Sequence, residues 1–78
     1  EAGMCGTFYN GQIGMRIQIG EHEGQIFAQA TGQMPFPLEK VSETLYTFEM
    51  GGIAIEYAED LKSFTLKQGG GEFVFNKE

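Results

Sequence analysis

The sequence predicts an all-β fold, a small closed antiparallel meander barrel of about eight short strands. Three observations predict it. Apolar and polar residues alternate over short runs, the period of a strand with one buried face. Turn residues recur between those runs at hairpin spacing, among them Asn10-Gly11, Gly51-Gly52 and Gly69-Gly70-Gly71. No run has the length and 3.6-residue period of a crossover helix, which argues against an α/β fold. Hairpin links make neighbours antiparallel, and closure hides the edges of a meander best.

In chain order, Cys5 to Tyr9 reads as a first strand ended by the turn pair Asn10-Gly11. Ile13, Met15, Ile17 and Ile19 share one face of the next run, with Arg16 and Gln18 on the other. Gly20 to Gly24 reads as a polar hairpin loop. Gln25 to Ala30 follows, with Ile26, Ala28 and Ala30 facing one way and Phe27 the other. Thr31-Gly32-Gln33 is a break, and Pro35 and Pro37 restrict the next segment to an edge, a bulge or an extended crossover. Glu39 to Glu43 reads as a turn and Leu45 to Met50 as a strand. Ile53, Ile55 and Tyr57 alternate with Ala54 and Glu56. Ala58 to Leu61 is an acidic turn. Phe64 and Leu66, then Phe73 and Phe75, alternate with polar or small neighbours on either side of the triple glycine.

The 78 residues make one domain, with no internal linker or repeat, and the start at Glu1 reads as an excised domain or processed product. So short a chain supports a net stability of ~3–5 kcal/mol. Cys5 is the single cysteine, so no disulfide forms within the chain and no Cys/His zinc spacing exists. The net charge of −6 argues against nucleic acid and against anionic membrane surfaces as partners. No stretch approaches the ~20 apolar residues of a membrane span.

From Gly24 onward the run GQIFAQATGQMPFPLEKVSETLYTF, then IAIEY, then LKSFTLKQGGGEFVFNK, resembles the small C-terminal β domain of serine β-lactamase-like (penicillin-binding-protein-related) hydrolases. Gly6-Thr7-Phe8 is similar to the start of such domains, and Gly24 to Gln33 to their long strand motif. Ser42-Glu43-Thr44-Leu45-Tyr46 and Phe64-Thr65-Leu66-Lys67-Gln68-Gly69-Gly70 resemble two later motifs. Two departures stand out: Lys40-Val41 replaces a proline before Ser42, and Asp60 to Ser63 lacks the usual glycine. The resemblance implies a lipocalin-like barrel attached to an exported, periplasmic or cell-envelope hydrolase. The implied partner is the catalytic domain of the parent protein or another subunit. It does not imply hydrolysis by this chain. Such enzymes need a Ser-x-x-Lys nucleophile, and the two serines, Ser42 and Ser63, are followed three residues later by Leu45 and Leu66.

Other constellations favour bland readings. Glu21-His22-Glu23 groups three metal-ligand types, but strand neighbours point opposite ways and no second histidine completes a site. Cys5 reads as a packed small residue rather than a reactive thiol, which needs a base or cation beside it. Glu56, Glu59 and Asp60 match no calcium loop, and the triple glycine lacks the Lys-Ser/Thr and helix of a phosphate cradle. No catalytic residue, cofactor or metal is expected.

The aromatic surplus, seven Phe and three Tyr, is the functional signal. Phe27 and Phe36 are the candidate interface residues, because they exceed what one thin core can bury and exposed aromatics mark contact sites. Two readings stand side by side: cover by the Pro35 to Leu38 segment, or contact with another domain or subunit. A non-catalytic accessory domain is the favoured function; a small-ligand or peptide-binding module is the alternative.

Overall fold

The structure is a computed structural model and describes residues 3–78. Its strands are β1 (Gly6–Asn10), β2 (Met15–His22), β3 (Gln25–Ala30), β4 (Phe36–Lys40), β5 (Leu45–Phe48), β6 (Ile53–Tyr57), β7 (Ser63–Gln68) and β8 (Gly71–Lys77). A 3-10 turn, Glu49–Gly51, precedes β6. Every strand pairs antiparallel with its chain neighbours, and β1 pairs with β8, so the meander closes into an eight-stranded barrel.

The closing seam is short. Phe8 lies opposite Lys77 and Tyr9 opposite Asn76. The Glu78 amide donates to the Thr7 carbonyl at 2.9 Å, and Arg16 forms a bidentate pair with the Glu78 carboxylate at 2.9 and 3.0 Å. That pair is solvent-exposed, so it contributes little beyond orientation.

The interior holds Phe8, Ile17, Ile19, Ala28, Leu38, Tyr46, Ile55, Tyr57, Phe64 and Phe75, all buried. Its aromatic rings form one connected cluster. Phe8 lies 4.7 Å from Phe64 and 5.9 Å, edge-on, from Tyr57; Phe64 stacks on Phe75 at 5.3 Å. An eight-stranded barrel is just wide enough for side chains to fill, and the small residues Ala28 and Ala30 of β3 face the space that these rings occupy.

Several boundaries differ from the sequence reading: β4 runs on through Glu39 and Lys40, β5 ends at Phe48 where the 3-10 turn begins, and three further differences have a clear local reason. Asn10 belongs to β1 and is buried. Its side-chain oxygen accepts from the amides of Gln12 and Ile13 at 2.7 and 3.1 Å, and its amide nitrogen donates to the Val74 carbonyl at 3.0 Å. This Asx turn widens the connection to four residues, places the left-handed residue at Gly14 rather than Gly11, and leaves Ile13 in the loop. Second, β2 continues through His22, because Glu23 and Gly24 (φ 52° and 82°) form a two-residue hairpin turn of positive φ. Third, the Pro35 to Leu38 segment contributes a strand, β4. Pro37 is tolerated because β4 pairs with β5 only at Glu39 and Lys40, so the missing amide lies where β4 behaves as an edge.

The alternation expected for β2 is present: Ile17 is 4% exposed and Gln18 is exposed. Ile17→Asp is therefore expected to unfold the domain, because an unpaired buried carboxylate costs several kcal/mol, on the order of the whole stability. Gln18→Asp is expected to melt close to wild type. Equal thermal midpoints for the two variants would contradict the register.

Candidate functional site

Chain direction sorts the connections between two ends. One end carries Glu23–Gly24, residues 41–44, residues 58–62, the start of β1 and the end of β8; the other carries residues 11–14, residues 31–35, residues 49–52 and Gly69–Gly70.

The first end is plugged. Met4 is buried, although it precedes β1. The Tyr57 hydroxyl donates to the Met4 carbonyl at 2.9 Å, and the Tyr46 hydroxyl points at the Met4 sulfur at 3.3 Å. Leu61, left-handed at φ 62°, packs against the core beside it. Burial pushes the Tyr57 phenol above its ordinary value, with Cys5 and Tyr46 adding to the shift. The folded state thus favours the neutral phenol. Its contribution to stability is complete below pH 10, the unfolded value, and is lost as pH rises above it. The melting temperature is expected to fall above about pH 10 more steeply in wild type than in Tyr57→Phe. Parallel profiles would show that Tyr57 does not carry the alkaline loss.

The second end is apolar and open. Met15, Phe36, Phe48, Ile53 and Phe73 are only partly buried there, packed on the core from above. Phe36 and Phe48 stack at 4.7 Å. Around them the loops project Ile13 (44% exposed), Met34 (84%) and Met50 (93%).

The two aromatic candidates have separate places. Phe27 is on the outer wall, between Gly20 of β2 and Pro37 of β4 in register, and half-buried. Pro35, Gly20, Glu21 and His22 line a shallow apolar cleft with it. Gly20 gives no side-chain cover, and the proline segment gives part of it. Phe36 is not on the outer wall: it lies opposite Ala28, on the parity of Leu38, and turns into the open end. The cause is the start of β4 at Phe36, which sets its alternation one residue from the outward Pro37. Phe27→Ser is expected to leave the barrel folded and to cost about 1 kcal/mol, since only part of the ~1.5–3 kcal/mol of a fully buried side chain is at stake. Loss of cooperative unfolding would show Phe27 to be a core residue.

The remaining candidates are dispersed. His22 ends β2 with Glu23 in the turn beyond, their side chains 3.8 Å apart and exposed. Among the described residues no group of three or more His, Cys, Asp or Glu side chains converges. Glu56 accepts from the Thr44 hydroxyl at 2.6 Å, and Asp60 accepts from the Lys62 amide at 3.0 Å. Ser42 accepts from the amides of Thr44 and Leu45 at 3.3 and 3.2 Å, a turn role, and Ser63 opens β7. Cys5 is a free, half-buried thiol. Gly69 and Gly70, both at positive φ, form a hairpin turn.

Sequence reasoning missed Met4, Asn10 and the exposed methionines. The signal for the last was present: Ile13, Met34 and Met50 fall on the first, third and fifth connections, and a meander puts alternate connections at one end. No family model, no curated protein and no solved structure matches the chain.

Proposed function

We propose that this barrel is a non-catalytic accessory domain of a larger serine β-lactamase-like exported hydrolase, packing on its catalytic domain or on a neighbouring subunit. The observation that carries the reading is the difference between the two ends. One is capped by the chain's own Met4, with a cleft beside it rimmed by the polar residues Glu21, Gln25 and Lys40, while the other leaves partly buried aromatics and projecting methionines for another surface to cover. The motifs that resemble the family fall on structural positions: Gly24 to Ala30 forms the second residue of a hairpin turn and β3, and Phe64 to Gly70 forms β7 and its turn.

The chemistry of the serines supports a non-catalytic role. Ser42 spends its hydroxyl oxygen on two backbone amides, and neither serine has a lysine three residues on. The alternative, a small-ligand module, would need room inside a barrel whose centre is filled by Phe8, Ile19, Ile55, Phe64 and Phe75.

The purified domain is expected not to turn over a chromogenic β-lactam or an acyl ester. Turnover abolished by Ser42→Ala or Ser63→Ala would overturn the non-catalytic reading. The parent open reading frame supplies the second test: a Ser-x-x-Lys upstream of Glu1 is expected, and a parent without one would remove the hydrolase assignment.

A further inference from the structure

The four connections at the open end, residues 11–14, 31–35, 49–52 and 69–70, contain a single charged residue, Glu49. The three internal connections at the plugged end contain Glu23, Glu43, Glu59, Asp60 and one base, Lys62. Charge is thus concentrated away from the apolar face. A protein of net charge −6 repels its own copies. That repulsion is weakest when two open ends meet, because the acidic ends then lie farthest apart, beyond the ~8–10 Å over which physiological salt leaves charges coupled.

Shape adds a second argument. A cleft of about 430 Å³ runs along the seam where β4 and β5 part, lined by Gln25, Pro37, Leu38, Glu39, Thr47 and Phe48 and bordered at the rim by Glu49 and Met50. The most exposed apolar side chain, Met50, therefore stands beside a recess that is apolar at Pro37, Leu38 and Phe48 and polar at Gln25, Glu39 and Glu49. An isologous contact across a two-fold axis needs a projection and a recess on the same patch. Methionine suits such a contact because its unbranched thioether adapts to irregular surfaces.

From this charge segregation and the adjoining projection and recess we infer that the open end is a self-association face, on which two copies of the chain meet mouth to mouth with Met50 of each entering the β4–β5 cleft of the other. The size of the face sets the strength. The two shorter extents of the molecule, 26 and 24 Å, bound an end of roughly 500 Å² in projection, so a pair buries at most roughly 1,000 Å², the lower limit for a specific interface. The dimer is therefore weak and concentration-dependent. The inference uses the same open end as the accessory-domain reading and gives that face one occupant, a second copy; the dimer is tested on the chain alone, and the parent sequence tests the hydrolase reading separately.

Sedimentation equilibrium of the 78-residue chain at neutral pH, from roughly 10 μM to 1 mM, tests it. The expected result is a reversible monomer–dimer equilibrium with little dependence on salt. Met50→Lys and Met34→Lys change exposed side chains, so both variants keep the wild-type circular dichroism, and each is expected to weaken association by about tenfold or more. Val74→Lys on the exposed outer wall of β8 is expected to leave association unchanged. A chain that stays monomeric throughout the range, or a dimer that Met50→Lys does not weaken, overturns the inference. So does cosedimentation with phosphatidylcholine vesicles that Met50→Lys abolishes while the free chain remains monomeric, which would give the face to a lipid surface.

Discussion

Closure of β1 onto β8 is the constraint on which the other features depend. Only two residue pairs make that seam, Phe8 with Lys77 and Tyr9 with Asn76. So few ladder bonds cannot hold a sheet of this curvature by themselves, because each hydrogen bond nets only ~1 kcal/mol against water. What holds it is the ring of Phe8, which brings β1 against Phe64 of β7 and Tyr57 of β6 across the interior. Each aromatic pair adds about 0.5–1.5 kcal/mol to the burial of its area. With no disulfide to restrain the unfolded chain, these contacts carry the load that small domains often give to covalent staples. The space they leave is small, so β3 supplies Ala28 and Ala30 where larger side chains would not fit.

The same constraint makes the two ends unlike. The rings of Phe8, Tyr57, Phe64 and Phe75 fill the centre, and Tyr46 and Tyr57 lie near the plugged end with their hydroxyls directed outward along the barrel. A buried hydroxyl needs a partner, and Met4 provides a carbonyl and a sulfur for the two of them. At the opposite end the corresponding positions are Phe36, Phe48, Ile53 and Phe73, which have no polar atom to satisfy. Hydrogen bonding there draws in the first connection, where buried Asn10 holds the amides of Gln12 and Ile13, and it leaves these phenylalanines uncovered. The end with tyrosines is therefore sealed from within, and the end with phenylalanines stays open.

Much of this was legible in the sequence. The alternation of Ile17 and Ile19, of Ile53, Ile55 and Tyr57, and of Phe73 and Phe75 gave strand positions and inward faces, because burial on one face enforces a period of two. The closed meander followed from the hairpin-length links. Phe36 was less legible. Its parity depends on where β4 begins after a loop with two prolines nearby, and the pattern of apolar residues is continuous through Met34, Phe36 and Leu38. Asn10 was read as a turn residue, which is its local preference. Its amide also reaches Val74, 64 residues away in the chain, and no local pattern encodes that contact. Met4 escaped for the same reason, since it lies outside any strand and is buried only because two distant tyrosines meet it.

The outer wall and the open end are not independent surfaces. Met34, Pro35 and Phe36 are consecutive, yet Met34 projects from the rim, Pro35 borders the Phe27 cleft and Phe36 turns inward onto Phe48. Pro35 fixes its own φ and holds the preceding residue extended, so this loop has limited freedom to move one of these side chains without the others. A surface seated on the rim would restrict the same loop that partly covers Phe27. Contact at the open end is therefore coupled mechanically to exposure of the wall patch, through three residues of backbone rather than through the barrel interior. Phe27 and Phe36, which lie on different faces of the sheet, are connected by this loop.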